Sequence, residues 1–114
     1  MTGQGAQAES LAAQYLLRQG LTLVAQNYRS RFGEIDLIMQ DGMTLVFIEV
    51  RLRSNAGFGG AAASIDARKQ QRIIHTAQRY LADLVRIPPC RFDAVLLDDT
   101  HGKNMQWLKN AFEA

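Results

Sequence analysis

Apolar residues near the start of the chain recur at the spacing of one helical face. They follow the i, i+3, i+4, i+7, i+8 pattern that brings side chains together on an α-helix, and they are Ala8, Leu11, Ala12, Tyr15 and Leu16. The pattern predicts a helix that starts at Ala6 and stops at Gly20, a residue type that commonly ends helices. Residues 1–5 are predicted to form a loose polar tail.

Three runs with the composition of β-strands follow this helix. They cover residues 21–28, 33–40 and 44–52. Asp41-Gly42 separates the last two runs and favours a tight hairpin, because glycine tolerates the positive φ angles of such turns. The run at 44–52 is almost continuously apolar, which is typical of a central strand covered on both faces.

The second half of the chain returns to a helical pattern. Asp66 is a good N-cap for a long helix, which we predict to end near Val85, before Pro88-Pro89. A segment rich in glycine and alanine at 54–63 precedes this helix and is predicted to be a mobile loop.

The end of the chain completes the predicted sheet. Strands are expected at residues 92–97 and 105–108, followed by a short helical segment. The order of elements is then α-β-β-β-α-β-β, an α/β fold in which helices flank a mixed β-sheet. No repeat, linker or low-complexity block divides the sequence, so residues 1–114 are predicted to form a single domain.

Composition narrows the class of protein without indicating a partner. The 114 residues are 47% hydrophobic and 21% charged, which excludes wholesale disorder, and a net charge of +2 by itself favours no class of ligand. Cys90 is the only cysteine, so an intramolecular disulfide and a Cys-rich zinc site are both excluded. The sequence shows neither a secretory signal nor a membrane-spanning stretch, and we expect a cytoplasmic protein that does not contact membranes.

Charged residues within the predicted central strands need a physical explanation. Alternate residues of a strand share a face, so Glu34 points the same way as Asp36, and Glu49 the same way as Arg51. The predicted hairpin can bring Asp36 beside Glu49. Two converging carboxylates suit a hard cation such as Mg²⁺, which can activate water and stabilise charge developing on a phosphate. The alternative is a structural ion pair of Glu49 with Arg51 or Arg53 that closes the end of the sheet.

The second predicted helix carries a basic face. Its members fall at i, i+4, i+7 and i+11 and are Arg68, Arg72, His75 and Arg79. Lys69 lies beside them in the first turn, and Arg51 and Arg53 precede them in the chain. Such a face can contact the phosphates of a nucleic acid. The alternative is an ordinary solvated helix surface.

Several short motifs, taken in order, resemble a known family. They are Glu9 in the first helix, Gly33-Glu34-Ile35-Asp36, Phe47-Ile48-Glu49-Val50-Arg51, Phe58-Gly59, Lys69, Ala77 with Tyr80-Leu81, Arg91-Phe92-Asp93 and Asn110-Ala111-Phe112. The sequence resembles small bacterial endonuclease-like proteins that are similar to Holliday-junction resolvases, within the PD-(D/E)XK nuclease superfamily. The likeness spans nearly the whole chain. Its most specific part is Gly-Glu-Ile-Asp joined to Glu-Val-Arg at this distance.

The resemblance implies a restriction-endonuclease-like αβββαβ core and Mg²⁺-dependent hydrolysis of phosphodiester bonds, with Mn²⁺ as an alternative cation. Asp36 and Glu49 would be the metal ligands, together with the backbone carbonyl of Val50. Glu9 would support a metal-bound water, and Lys69 would assist at the phosphate or at the water. Because resolvase-like enzymes commonly act as dimers, the resemblance also implies a homodimer.

One position departs from the motif of this family. The motif ends in Glu-x-Lys, whereas this chain has Glu49-Val50-Arg51. A buried lysine can lose its proton and position the attacking water, but arginine stays protonated. Arg51 can still hold a phosphate through two parallel hydrogen bonds, so the difference affects the expected rate more than the binding of nucleic acid.

The leading hypothesis is a metal-dependent, nuclease-like protein that acts on DNA, with branched DNA as one candidate substrate. The predicted catalytic residues are Glu9, Asp36, Glu49 and Arg51, and the predicted docking surface consists of Arg53, Arg68, Lys69 and Arg72. A second hypothesis, motivated by Arg51, is a DNA- or RNA-binding module of the same fold that lacks activity. A third is a protein-interaction adaptor in which Asp36, Glu49 and Arg51 form a structural ion-pair cluster.

Overall fold

The computed structural model describes residues 3–52, 65–98 and 104–114. These residues form two helices and five strands, which in chain order are α1 (Gly3–Arg18), β1 (Thr22–Ser30), β2 (Gly33–Asp41), β3 (Thr44–Leu52), α2 (Ala67–Leu81), β4 (Cys90–Leu97) and β5 (Met105–Phe112). The predicted order of elements and the mixed α/β class are therefore confirmed. The predicted loop at 54–63, which includes Phe58-Gly59, lies outside the described residues.

The strands form one sheet in the order β1-β2-β3-β4-β5. Neighbours are antiparallel except for β3 and β4, which are parallel and are connected through α2. β3 is therefore the middle strand, as its apolar sequence predicts. Its side chains alternate between two cores: Val46 and Ile48 pack on the side of α1, and Leu45 and Phe47 pack on the side of α2.

Each helix buries one apolar face against the sheet. The buried apolar residues are Ala8, Ala12, Ala13 and Leu16 in α1 and Ile73, Ile74 and Ala77 in α2. Glu9 lies on the same side of α1 and is buried with these alanines. A carboxylate placed under a helix in this way needs polar partners, because an isolated buried charge is strongly destabilising. Neither helix in the described part of the chain is long and apolar enough to span a membrane.

Two helix boundaries differ from the prediction. α1 begins at Gly3, so part of the predicted tail belongs to its first turn. α2 starts after Asp66, whose carboxylate accepts the predicted capping hydrogen bond from the Lys69 amide at 2.8 Å. α2 ends at Leu81, about one turn earlier than predicted, because the amide of Leu84 donates to the carbonyl of Leu81 (3.0 Å) in a tighter turn.

The predicted helical segment at the end of the chain is wrong. β5 continues to Phe112 and pairs with β4 as far as Phe92↔Phe112. The register shifts between Phe92 and Ala94, and on the opposite strand Asn110 adopts a positive φ of 54°. Asparagine enters this conformation more readily than most residues. A β-bulge therefore keeps the chain in the sheet where the sequence pattern alone suggests that the strand stops.

Asp93 fixes this bulge from within the sheet. Its fully buried carboxylate accepts hydrogen bonds from the Asn110 amide (3.0 Å), the Trp107 indole (2.9 Å) and the Arg91 guanidinium (2.9 Å). Arg91 also donates to Asp41 at 3.0 Å, which ties β4 to the end of β2. The motif that contains Arg91 and Asp93 therefore has a structural role beside the β2–β3 hairpin.

We expect Asp93→Ala to lower the free energy of unfolding by about 3–5 kcal/mol, because it removes the acceptor of a largely buried guanidinium and of an indole N–H. Asp83→Ala is the control, since Asp83 is exposed and its ion pair with Arg79 (3.1 Å) belongs to a class worth less than about 1 kcal/mol. Urea unfolding followed by circular dichroism measures both variants. Equal losses of stability would contradict the structural role of Asp93.

Candidate metal centre

At Asp36, a hydrogen bond to a side chain replaces the backbone pairing between β2 and β3. The register extends to Leu37↔Ile48, and the next residue of β2, Asp36, accepts a hydrogen bond from the Val50 amide at 2.8 Å. In a regular strand Ile35 and Leu37 would share a face, yet Ile35 packs in the core below α2 and Leu37 in the core below α1. β2 therefore changes its facing at Asp36, and this carboxylate reaches across to β3.

Two more acids lie next to Asp36. Glu9 of α1 is 8% exposed and shares a side-chain hydrogen bond with Asp36. The carboxylate oxygens of Glu9, Glu34 and Asp36 lie within 4.8 Å of one another. Asn27 of β1 also forms a hydrogen bond with Glu9, and Arg29 donates to Glu34 at 3.2 Å. α1 and β2 thus deliver three carboxylates to one place.

Glu49 joins this group from β3. Its side chain is 6% exposed and shares a hydrogen bond with Asp36. Lys69 of α2 brings its ammonium nitrogen to 3.3 Å from Oε2 of Glu49. Asp36 therefore links four acids into one carboxylate cluster. Its members are Glu9, Glu34, Asp36 and Glu49.

Burial and mutual repulsion raise the pKa of two members of the carboxylate cluster. The pKa of Glu9 rises from 4.5 to about 7, first because burial disfavours its charged form and then because Asp36 and Glu34 are acidic neighbours. Burial, followed by the hydrogen bond and the negative charge of Asp36, raises the pKa of Glu49 to about 8, although nearby positive charges oppose the shift. Without a cation, the cluster therefore holds protons at neutral pH that an exposed acid would have lost.

The carboxylate cluster offers the donor set of a hard divalent cation. Among the described residues, Glu34 Oε1 and Glu49 Oε2 are buried without a hydrogen-bond donor, and Lys69 near the latter is not aligned to donate. Buried carboxylate oxygens are unfavourable unless a proton, a hydrogen bond or a cation satisfies them. Since Mg²⁺ and Mn²⁺ favour oxygen ligands, the residues present fit the predicted ions.

The raised pKa values of Glu9 and Glu49 set the pH dependence of stability without metal. Both acids bind protons more tightly in the folded protein than at the ordinary value of 4.5, so their contribution is fully present near pH 4.5 and is lost as the pH rises through about 7 and about 8. We expect urea unfolding in EDTA to show a falling free energy of unfolding over this range. Glu49→Gln should raise that free energy by roughly 2 kcal/mol near pH 9. A variant curve parallel to that of the wild-type protein would contradict this origin.

The structure brings together three of the four residues predicted for catalysis, the acids of the carboxylate cluster other than Glu34. The fourth, Arg51, lies within electrostatic reach of Glu49 and lowers its pKa. Val50 contributes its amide to Asp36. The role of the Val50 carbonyl as a metal ligand stays a prediction. The alternative prediction is a structural ion pair of Glu49 with Arg51 or Arg53. In the structure, the ammonium group of Lys69 in α2 contacts the Glu49 carboxylate.

The predicted docking surface is divided by the fold. Arg68 and Arg72 are exposed on α2, together with His75 and Arg79. Lys69 instead turns towards Glu49, with its side chain only 32% exposed. Arg53 lies outside the described residues. Lys69 is thus placed at the carboxylate cluster, while the exposed basic face of α2 remains free to meet a ligand.

Two residues of the site are absent from the sequence-based prediction. The sequence predicts that Glu34 faces the same way as Asp36, and this alternation is the signal that could have added Glu34 to the predicted site. Asn27 gives a weaker signal, since it is a polar residue near the end of an apolar strand. Its positive φ of 52° and its hydrogen bond to Glu9 become apparent only in the folded chain.

Comparison with known proteins identifies close relatives along nearly the whole chain. The family model described as "Uncharacterised protein family UPF0102" matches residues 8–97. A UPF0102 protein of Methylobacillus flagellatus is 54% identical over 110 residues, covering 96% of each chain. One from Nitrosomonas europaea is 54% identical, covering 96% of this chain and 93% of its own. One from Janthinobacterium sp. is 56% identical over 114 residues, covering all of this chain and 89% of its own. The matched region contains the entire carboxylate cluster.

Proposed function

The chain belongs to the UPF0102 protein family, and from its carboxylate cluster we propose that it hydrolyses phosphodiester bonds of DNA with the help of Mg²⁺ or Mn²⁺. The observation that carries the proposal is the convergence of four acids, two of them with buried oxygens that have no hydrogen-bond donor within the described residues. A basic side chain of α2 adjoins this cluster, since Lys69 contacts Glu49, and Arg51 of β3 is near the same acid. Acidic ligands for a cation beside positive groups for a phosphate are what such a hydrolysis requires.

Asp36 and Glu49 are the residues proposed to hold the cation, with Glu34 and the Val50 carbonyl as further oxygen ligands. When bound, the ion supplies charge neutralisation and activation of water at neutral pH. Glu9 is suited to accept a proton, because its buried carboxylate shares a hydrogen bond with Asp36, one of the proposed metal ligands. Asn27 orients Glu9 through their hydrogen bond.

Two positively charged side chains near Glu49 are proposed to share the role of the lysine in the nuclease motif Glu-x-Lys. They are Arg51 and Lys69. Arg51 stays protonated, so it can neutralise and hold a phosphate but cannot accept a proton. Lys69 reaches the same carboxylate from α2, with its nitrogen 3.3 Å from Oε2. It is therefore placed to orient water or phosphate where Arg51 cannot replace a lysine.

Cleavage of end-labelled DNA tests this proposal. Linear duplex, single-stranded and four-way-junction DNA are each incubated with Mg²⁺, Mn²⁺ or EDTA at pH 8. We expect strand cleavage with either cation and none in EDTA, and preference among the substrates identifies the DNA structure that is recognised. Absence of metal-dependent cleavage of all three, unaltered by Arg51→Lys, would overturn the enzymatic proposal.

A second candidate function, binding of DNA or RNA without hydrolysis, is favoured by Arg51. A permanent positive charge at this position keeps affinity for phosphates without supplying a base. Binding that falls steeply with salt and does not depend on divalent cations would support this candidate over the enzyme.

From the resemblance to resolvases we also propose that the protein is a homodimer. Sedimentation in the presence of DNA tests this proposal, and a monomer in the bound state would contradict it.

A further inference from the structure

A groove of about 420 Å³ lies beside the carboxylate cluster, at the tip of the β1–β2 hairpin. The residues that line it, called the arginine groove below, are Tyr28, Arg29, Ser30, Arg31, Phe32 and Arg79. Three of these six side chains are guanidinium groups and two are aromatic rings. A concave surface of this composition suits a phosphate group carried by a larger ligand.

The hairpin tip is held firmly against α2. The hydroxyl groups of Ser30 and Thr76 lie 3.1 Å apart, and the amide of Phe32 donates to the Ser30 hydroxyl at 3.0 Å. The Phe32 ring meets the His75 ring edge-on, with 5.2 Å between the ring centres. Both walls of the arginine groove are thus fixed before any ligand arrives, which lowers the entropic cost of binding.

Two of the three arginines, Arg31 and Arg79, have guanidinium groups available for an anion. In the described part of the chain, the ion pair of Arg79 is with Asp83, an exposed residue just after α2, at 3.1 Å. Arg31 lies over the Phe32 ring at 5.0 Å and, among the described residues, has no carboxylate partner. Surface ion pairs of the Arg79 kind contribute little, so a phosphate can compete for these donors.

Arg29 connects the arginine groove to the carboxylate cluster. Its guanidinium is exposed and donates to Glu34 at 3.2 Å, while carboxylate oxygens of Glu34, Glu9 and Asp36 lie within 4.8 Å of one another. The groove and the cluster therefore adjoin through the Arg29–Glu34 pair. Successive phosphates along one strand of duplex DNA are separated by about 3.4 Å of helix axis. Because phosphates repeat along a strand, a strand with one phosphate at the cluster can present another to these arginines when it runs across the β1–β2 hairpin.

We propose that the arginine groove binds a backbone phosphate of the same DNA strand that places another phosphodiester at the carboxylate cluster. This inference rests on the proposed function and adds to it a site that fixes where the strand runs. It assigns the path of the strand across the β1–β2 hairpin to Arg31 and Arg79, in addition to the face of α2 that carries Arg68 and Arg72.

Fluorescence anisotropy with a labelled single-stranded oligonucleotide in EDTA tests this assignment. The variants are Arg31→Gln, Arg79→Gln and the double substitution, and Arg86→Gln is the matched control because Arg86 is exposed but lines a different groove. We expect the double variant to bind about tenfold more weakly at low salt, and the salt dependence to fall by about 0.7 per arginine lost. Far-UV circular dichroism confirms that each variant is folded.

Binding in EDTA does not require hydrolysis, so the two proposals fail separately. Weaker binding by the groove variants in a protein that cleaves nothing would support the arginine groove and remove the enzymatic function. If the wild-type protein cleaves DNA and the double variant binds as tightly as Arg86→Gln, the groove assignment is overturned while the proposed function stands. An absence of any DNA binding by the wild-type protein also overturns the assignment.

Discussion

Asp36→Asn is expected to abolish metal-dependent DNA cleavage, with a loss of about a thousandfold or more, in a protein that remains folded. The amide keeps an oxygen that can accept the hydrogen bond from the Val50 amide, which is 2.8 Å long in the native protein. It removes the negative charge that links Glu9 to Glu49 in the carboxylate cluster. Single-turnover cleavage with Mn²⁺ and calorimetric titration of the same cation measure the two consequences.

The control for Asp36→Asn is Glu113→Gln, which removes an equal charge from an exposed position just after β5. It should cleave DNA at the wild-type rate. Retained stability with lost cation binding in Asp36→Asn also excludes the adaptor hypothesis, in which Asp36 and Glu49 serve only as structural ion-pair partners. Cleavage by Asp36→Asn within a few-fold of wild type would contradict the proposed catalytic role of the cluster.

Arg51→Lys is expected to raise the cleavage rate by about tenfold, because it supplies an amine that can lose its proton next to Glu49. The native guanidinium stays charged and contributes to phosphate binding alone. The gain should appear in kcat more than in KM and should bring an additional ionisation into the pH–rate profile. Cleavage rates from pH 6 to pH 10 measure both effects.

Arg51→Gln removes both the charge of Arg51 and its paired hydrogen-bond donors, whereas Arg51→Lys keeps the charge. We expect this variant to weaken DNA binding and to cleave more slowly than the wild-type protein. If Arg51→Lys were as slow as Arg51→Gln, the paired donors of the guanidinium would be the important property. The idea that Arg51 limits the rate would then be wrong.

The meeting of Asp36 and Glu49 could be predicted because a two-residue turn fixes the register of an antiparallel hairpin. Asp41 pairs with Thr44, and every later pair follows by counting along both strands. The same reasoning gives the middle position of β3, since only a strand covered on both faces tolerates so continuous an apolar sequence. These features depend on local pattern and short-range geometry, which a sequence shows directly.

Other parts of the site depend on tertiary structure. The change in facing at Asp36 breaks the alternation on which strand predictions rely, and it is visible only because Ile35 and Leu37 enter different cores. Lys69 reaches Glu49 from a helix twenty residues further along the chain, a distance that no strand or helix periodicity covers. The bulge at Asn110 likewise depends on the buried carboxylate of Asp93. The sequence pattern therefore predicts a helical segment after residue 108, where the strand in fact continues to Phe112.

The carboxylate cluster is proposed to bind a divalent cation at the reacting phosphate of DNA. The most direct measurement is the anomalous difference map of crystals grown with Mn²⁺ and a DNA oligonucleotide. We expect one strong peak about 2.0–2.2 Å from carboxylate oxygens of Asp36 and Glu49, with a phosphate oxygen in the same coordination shell. DNA bound with no peak at these carboxylates, and with Lys69 still on Glu49, would contradict this proposal.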